Sequence, residues 1–424
     1  GNYIYELPDY IKNNLSHNLR EYQYQALENF NYSQEYLTPC PRHMLFNMAT
    51  GSGKTDLMAA LILYLYHEKG FQNFVFTVNT NSVLMKTRDN LINSKSDKYL
   101  YKQKIEIYGE ILKIESVESF PRFPQKNTIY IKLATVQKIS DDLFNIKEGK
   151  MGLSNYSENP VAVLADEAHH YSASTKSEKQ AENTWEYAIN KIVNARNDQD
   201  QKNILLEFTA TIDLEKKEIF EKYQNKIVYR YPLDTFMKDG YSKMVKRIET
   251  STNDKDKMLN AVLLSQFRKH FAKQEGVQDN FKPIIMFKAA KIEVSLKATK
   301  IFNELIDNLT VQNLLDFIKK QQLLDNNTSS ALQLAYKYYL ENELSLTNII
   351  SEIKYDFNPR NILNVNDKNK NILEKGHYTA LNTLEHPNNF YRVVFAVAKL
   401  TEGWDVLNLY DIVRISEDAG TNSK

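Results

Sequence analysis

Met48-Ala49-Thr50-Gly51-Ser52-Gly53-Lys54-Thr55 follows the apolar run Met44-Leu45-Phe46 and opens the helical run Asp56–Tyr66. Strand, glycine loop and helix in that order make a cradle for a triphosphate. Phosphate oxygens need several donors in a small space. Gly51 and Gly53 let the backbone wrap so that its N–H groups point inward. The helix that follows adds its positive N-terminal end. Lys54 can then meet the outer phosphates, and the Thr55 hydroxyl can ligate Mg2+. The general pattern has Gly at the position of Met48. A glycine turn that merely caps a helix is the plain alternative. Against it, two of the chain's 12 glycines fall in one Gly-x-Gly-Lys-Thr string.

A second string, Val161-Ala162-Val163-Leu164-Ala165-Asp166-Glu167-Ala168-His169-His170, runs an apolar strand into two carboxylates. A strand ending in Asp-Glu sets them at the carboxyl edge of a sheet, where α/β folds bind ligands. Asp166 can hold Mg2+ through water, and Glu167 can orient and deprotonate an attacking water. Zinc is a weaker reading of His169 and His170, because adjacent rings point apart and no third ligand is evident.

Further apolar runs stand at Asn73–Val78, Thr128–Ala134, Ile204–Phe208, Pro283–Phe287 and Arg392–Ala398. Short continuous runs of this kind suit strands buried on both faces. Helix-like stretches such as Thr55–Tyr66 and Ser82–Leu91 lie between them, so the expectation is α/β layers with mostly parallel sheets. Residues 292–353 carry Leu and Ile at helical spacing and read as a helical insertion. Tyr231-Pro232 and Asp239-Gly240 signal a break, which divides the chain into domains 1–230 and 231–424.

The chain has 424 residues, 42% hydrophobic and 25% charged, with a net charge of +1 from 54 Lys and Arg against 53 Asp and Glu. That composition excludes a largely disordered chain. Charge neutrality argues against a protein that coats nucleic acid with its whole surface and leaves room for one basic groove. A single cysteine, Cys40, excludes internal disulfides and favours a reducing, cytoplasmic location. The longest apolar stretch, about Met58–Tyr66, is far short of the ~20 residues that span a bilayer, so no membrane association is expected. The start, Gly1-Asn2-Tyr3, is not basic-then-apolar and suggests no signal peptide.

The set of motifs resembles the superfamily 2 DEAH-box helicases and translocases. Ala49–Thr55 matches their Ala-x-Thr-Gly-Ser-Gly-Lys-Thr form except at Met48, and Asp166-Glu167-Ala168-His169 matches their DEAH box. The resemblance implies an α/β fold of two RecA-like lobes with parallel sheets, the P-loop NTPase type, with ATP and Mg2+ held in the cleft between them. It implies that Gln23, in Leu19-Arg20-Glu21-Tyr22-Gln23, reads the adenine edge. Thr209 and Thr211, in Phe208-Thr209-Ala210-Thr211, would link hydrolysis to strand movement. Thr135 and Gln137, in Ala134-Thr135-Val136-Gln137, and the segment Phe74–Asn79 would grip the nucleic-acid backbone, although Thr135 and Gln137 could equally cap a helix. Thr401, Gly403 and Asp405, in Thr401-Glu402-Gly403-Trp404-Asp405-Val406, would touch ATP and nucleic acid from the second lobe.

Within that superfamily the chain is most similar to the motor subunit of type III restriction–modification enzymes. Asp166–Tyr171, the stretch from Tyr231-Pro232-Leu233 to Asp239-Gly240-Tyr241, and Leu400–Asn408 carry this likeness. It implies an ATPase that moves on DNA and pairs with a modification methyltransferase subunit. It also implies a late Gln-x-x-Gly-Arg-x-x-Arg motif and a C-terminal nuclease domain. Neither is found up to Lys424, so the expectation is a motor cut short at its C-terminal end, with low turnover for want of the arginine finger. Arg414 is a poor substitute, since it lies in an apolar strand. A type I motor, an RNA helicase, and a nucleotide-controlled scaffold without turnover are the other readings.

Overall fold

The computed structural model describes residues 4–144, 151–168, 176–239, 253–276, 281–324, 330–365, 380–381, 383–397 and 409–416. The chain forms two compact units, Gly1–Met244 and Val245–Lys424. This division falls about 14 residues beyond the Arg230–Tyr231 boundary read from the sequence, after the short helix Leu233–Lys238.

The first unit is built on eight strands: β1 (His43–Met48), β2 (Asn73–Val78), β3 (Ile105–Ile107), β4 (Glu110–Ser116), β5 (Thr128–Thr135), β6 (Val161–Asp166), β7 (Ile204–Thr209) and β8 (Ile227–Tyr231). Their order across the sheet is β3-β4-β5-β2-β6-β7-β1-β8. Every pairing is parallel except the β3–β4 hairpin. The strands are apolar on both faces because helices cover both faces. One core gathers Phe46, Phe74, Phe76 and Phe208 under the helices Glu21–Tyr36 and Lys54–Lys69. The other gathers Val75, Val163 and Leu205 against Trp185 and Ile192 of the helix Lys176–Asn194.

The helix Lys54–Lys69 is unusual in having no polar stripe over its middle: Leu57 to Leu65 are nine successive buried residues. A helix apolar all round must lie inside the protein. It stops at Gly70, whose φ of +72° few other residues tolerate, and the N–H groups of Gly70 and Phe71 close back on the carbonyls of Tyr66 and Leu65.

The second unit holds four parallel strands: β9 (Ile284–Ala289), β10 (Ile362–Asn364), β11 (Val393–Val397) and β12 (Leu409–Arg414), in the order β10-β11-β9-β12. Between β9 and β10 come the helices Ile292–Asp307, Val311–Leu324, Ser330–Glu341 and Leu346–Asp356, over the stretch read as helical from its Leu and Ile spacing. Phe287, Phe302, Phe357 and Phe395 meet in its core.

Arg392 is buried in this unit and its charge is answered from every side. It pairs with Asp356 at 2.7 Å, donates to the carbonyl of Pro283 at 3.0 Å and to Ser265 Oγ at 3.1 Å, and lies over the Phe357 ring. Burial alone would raise the Asp356 carboxyl, but Arg392, Lys269 and Gln266 hold it below the usual carboxylate range.

Candidate functional site

Parallel strands put all their carboxyl ends on one edge of a sheet. In the first unit β1 ends there in the glycine loop, β6 in Asp166-Glu167 and β7 in Thr209-Ala210, with β6, β7 and β1 adjacent. Residues far apart in the chain are therefore brought to one place by topology alone.

The loop is shaped by left-handed backbone at Gly51 (φ +78°) and Gly53 (φ +72°). A Cβ at Gly53 would stand 2.4 Å from Gln23 Nε2. Gln23 is buried and its amide is committed to the loop, donating to the carbonyls of Ser52 and Gly53, each at 3.0 Å. Its carbonyl oxygen accepts from the backbone N–H of Arg20 at 2.8 Å. The Tyr22 hydroxyl donates to the Ser52 carbonyl at 2.7 Å. The structure thus places Gln23 as a brace under the glycine loop. Thr50 and Gly51 are exposed, Ser52 is buried, and Lys54 and Thr55 begin the helix.

Glu167 is the hub. Lys54 Nζ lies 3.1 Å from its Oε1, the backbone N–H of Ala210 donates to Oε1 at 2.6 Å, and Thr209 Oγ1 donates to Oε2 at 2.8 Å. Thr209 in turn accepts from the backbone N–H of exposed Thr211 at 3.2 Å. The Glu167 backbone is left-handed, with φ +48°. For a residue other than glycine that costs roughly 1–3 kcal/mol and persists only when neighbours impose it.

Asp166 differs from Glu167 in having little help. Its Oδ1 is covered, and nothing among the described residues donates to it. Burial pushes its carboxyl up to about 6, against the pull of Lys54; Glu167 adds to the rise and Lys86 opposes it. A buried carboxylate oxygen without a partner suits a cation or its bound water. Among the described residues no group of three or more His, Cys, Asp or Glu could hold a metal. An ion here would rest on Asp166, the Thr55 hydroxyl, phosphates and waters, which is how magnesium is usually held.

The other residues singled out in the sequence fall outside this cluster. Thr135 Oγ1 accepts the N–H of Lys138 at 3.2 Å, which caps the helix Val136–Phe144, and Gln137 donates to Asp141 at 2.7 Å within it. His169, Thr401, Gly403 and Asp405 lie outside the described residues. Two asparagines near strand ends reach this cluster: Asn47 was not read from the sequence, and Asn79 was read there only as part of Phe74–Asn79, a segment to grip the nucleic-acid backbone. Asn47, next to last in β1, donates to the carbonyl of Thr209 at 3.1 Å, and Asn79, after β2, donates to the carbonyl of Glu167. A lone polar residue at a strand end has no spacing to mark it.

Residues 16–214 match the family model for type III restriction enzyme, res subunit. The chain is 32% identical to the "Probable type III restriction-modification enzyme HindVIP Res subunit" of Haemophilus influenzae, over 99% of this chain and 88% of that one. Among solved structures it is similar to the ATP-dependent type ISP restriction-modification enzyme LlaBIII bound to DNA, with a TM-score of 0.52 and 15% identity over 94% of this chain and 26% of that one. It is also similar to the DUF1998 helicase MrfA bound to DNA, with a TM-score of 0.50 and 14% identity over 94% of this chain and 44% of that one. At these identities the two structures speak for the fold, two RecA-like α/β units with parallel sheets. With a relative at this identity, matched over nearly all of this chain and 88% of its own length, the chain belongs to the type III restriction enzyme Res subunit family.

Proposed function

We propose that this chain is the ATP-dependent motor of a type III restriction enzyme, hydrolysing ATP as it moves on DNA. The observation that carries the reading is the meeting of Lys54, Glu167, Thr209 and Ala210 at the carboxyl edge of one parallel sheet. The loop N–H groups and Lys54 hold the phosphates. Thr55 and Asp166 are the residues that would hold Mg2+, which would supply positive charge to offset that of the phosphates. A water held at the Glu167 carboxylate gives up a proton to it, and its oxygen bonds to the γ-phosphorus as the bond to the β–γ bridging oxygen breaks. Thr209 at Oε2 and the Ala210 N–H at Oε1 fix the carboxylate, and Oε1 gains an open lone pair when Lys54 turns to the phosphates.

DNA is the track, gripped through its phosphates, which makes binding salt-sensitive and largely blind to sequence. A modification methyltransferase subunit is the expected partner. A nuclease activity belongs to the whole enzyme on this reading. Soluble cytoplasmic protein fits the role; among the described residues no helix is long and apolar enough to cross a membrane.

The test is phosphate release by the purified chain with and without duplex DNA, beside Glu167→Gln. Slow phosphate release that DNA raises and Glu167→Gln abolishes is the expected result. Stimulation by RNA and not DNA would move the assignment to an RNA helicase. Tight ATP binding with no turnover under any nucleic acid would leave a nucleotide-controlled scaffold.

A further inference from the structure

Glu167 is one of three residues other than glycine with positive φ among those described; Tyr108 and Asn127 are the others. Tyr108 sits in the β3–β4 turn, and Asn127 directly precedes β5, where asparagine tolerates such backbone. Glu167 has no such excuse: it is a long acid directly after a buried strand. Something outside it must hold the peptide.

Two hydrogen bonds do so. The Glu167 N–H donates to the carbonyl of Phe208 at 2.8 Å, which continues the β6–β7 ladder by one residue. On the other side β2 pairs β6 with Thr77 opposite Ala165. Two residues further on, Asn79 stands opposite Glu167. The backbone turns away there, and the Asn79 side chain takes over the ladder: its Nδ2 donates to the Glu167 carbonyl. Asn79 is itself fixed, because the next residue, Thr80, caps the helix Asn81–Leu91 by accepting the N–H of Val83.

We propose that Asn79 is a positioning residue for hydrolysis: its amide clamps the Glu167 carbonyl, keeps that peptide left-handed, and so aims the carboxylate at the phosphate loop. The inference rests on the ATPase reading given above for its catalytic consequence. Asn79 acts through the Glu167 peptide and not on the reacting atoms. Removing its amide frees the Glu167 carbonyl, the backbone relaxes toward negative φ, and the carboxylate leaves Lys54, Thr209 and Ala210. The side chain must reach across one strand spacing and must donate, which asparagine does and aspartate does not.

The experiment compares Asn79→Ala and Asn79→Asp with the parent chain. The expected result is a kcat lower by about 10–100-fold, the cost of a catalytic group moved by an ångström or so. KM and directly measured ATP affinity should stay within about threefold. Independently of turnover, amide hydrogen exchange over Asp166–Ala168 should rise by about tenfold or more in Asn79→Ala as the peptide loosens. Asn79→Asp is nearly isosteric, so it reads the same question should the alanine variant misfold. Turnover within about twofold of the parent in both variants, or unchanged exchange at Glu167, overturns the proposal. If Glu167→Gln hydrolyses ATP at the parent rate, it is the ATPase reading that fails, and the exchange measurement still decides whether Asn79 holds the Glu167 peptide.

Discussion

Lys54 Nζ lies 3.1 Å from Glu167 Oε1: without nucleotide, the cation expected to meet the phosphates is paired with the base expected to activate water. Lys54 is largely covered and Glu167 is partly open, so the pair is screened and readily parted. ATP entry then exchanges one anion for another at Lys54 and leaves Oε1 held by the Ala210 N–H alone. Lys54→Ala should weaken ATP binding by about 100-fold or more. Glu167→Gln should stop turnover while binding stays equal or tightens, since Lys54 no longer has a competing carboxylate. A fluorescent ATP analogue titrated into both variants checks this; weaker binding by Glu167→Gln would contradict the exchange.

Gly53→Ala meets two obstacles that can be separated. The backbone φ of +72° disfavours any side chain, and the added Cβ would stand 2.4 Å from Gln23 Nε2. ATP affinity should fall by about tenfold or more, for a backbone strain of roughly 1–3 kcal/mol plus the contact. Adding Gln23→Ala removes the contact and leaves the backbone strain, so it should restore only part of the loss. Full restoration would show that the left-handed conformation is dispensable.

Asp166 predicts a pH dependence of stability in metal-free, nucleotide-free protein. Its carboxyl is raised from 3.8 to about 6 by burial. The folded state therefore holds this proton more tightly than the unfolded state. The contribution is full below the unfolded value, is lost as pH rises, and is gone above about 6. Asp166→Asn should remove that dependence. At pH 7.5 it should raise the thermal midpoint by roughly 2–4 °C for each kcal/mol relieved, in a unit of this size. Turnover should be lost at the same time. A midpoint that falls in Asp166→Asn would mean the ionised carboxylate is welcome in the fold.

In the second unit, Asp356→Ala strands Arg392, whose side chain is 4% exposed. Leaving a buried charge unpaired costs about 3–5 kcal/mol. Urea unfolding should shift earlier by that amount, and Arg392→Met combined with Asp356→Ala should recover much of it. If the double variant is no better than Asp356→Ala alone, the pair is not the source of the cost.

Much of this was legible in the sequence because the signals are dense. The glycine loop and Asp166-Glu167 carry their chemistry in consecutive residues, and six apolar runs each mark a strand, β2, β5, β6, β7, β9 and β11, because burial on both faces leaves no polar break. What was not legible depends on neighbours distant in sequence. The β3–β4 hairpin has only three residues in β3 and a single buried residue, Leu112, in β4, so it carries no apolar run to stand out. Asn47 and Asn79 act only because β7 and β6 lie beside their strands. Arg392 finds Asp356 across 36 residues. Gln23 was located by its motif, but its use as a brace depends on where the Ser52 and Gly53 carbonyls point.

The helix behind the loop has a mechanical meaning. With Leu57 to Leu65 all buried, it cannot slide or roll without unpacking the core around it. On the ATPase reading, a load on phosphates held by the loop would pass down that spindle into the whole first unit, which would make the loop an anchorage rather than a spring. Whatever flexes during a cycle must be sought where single hydrogen bonds join one strand end to the next.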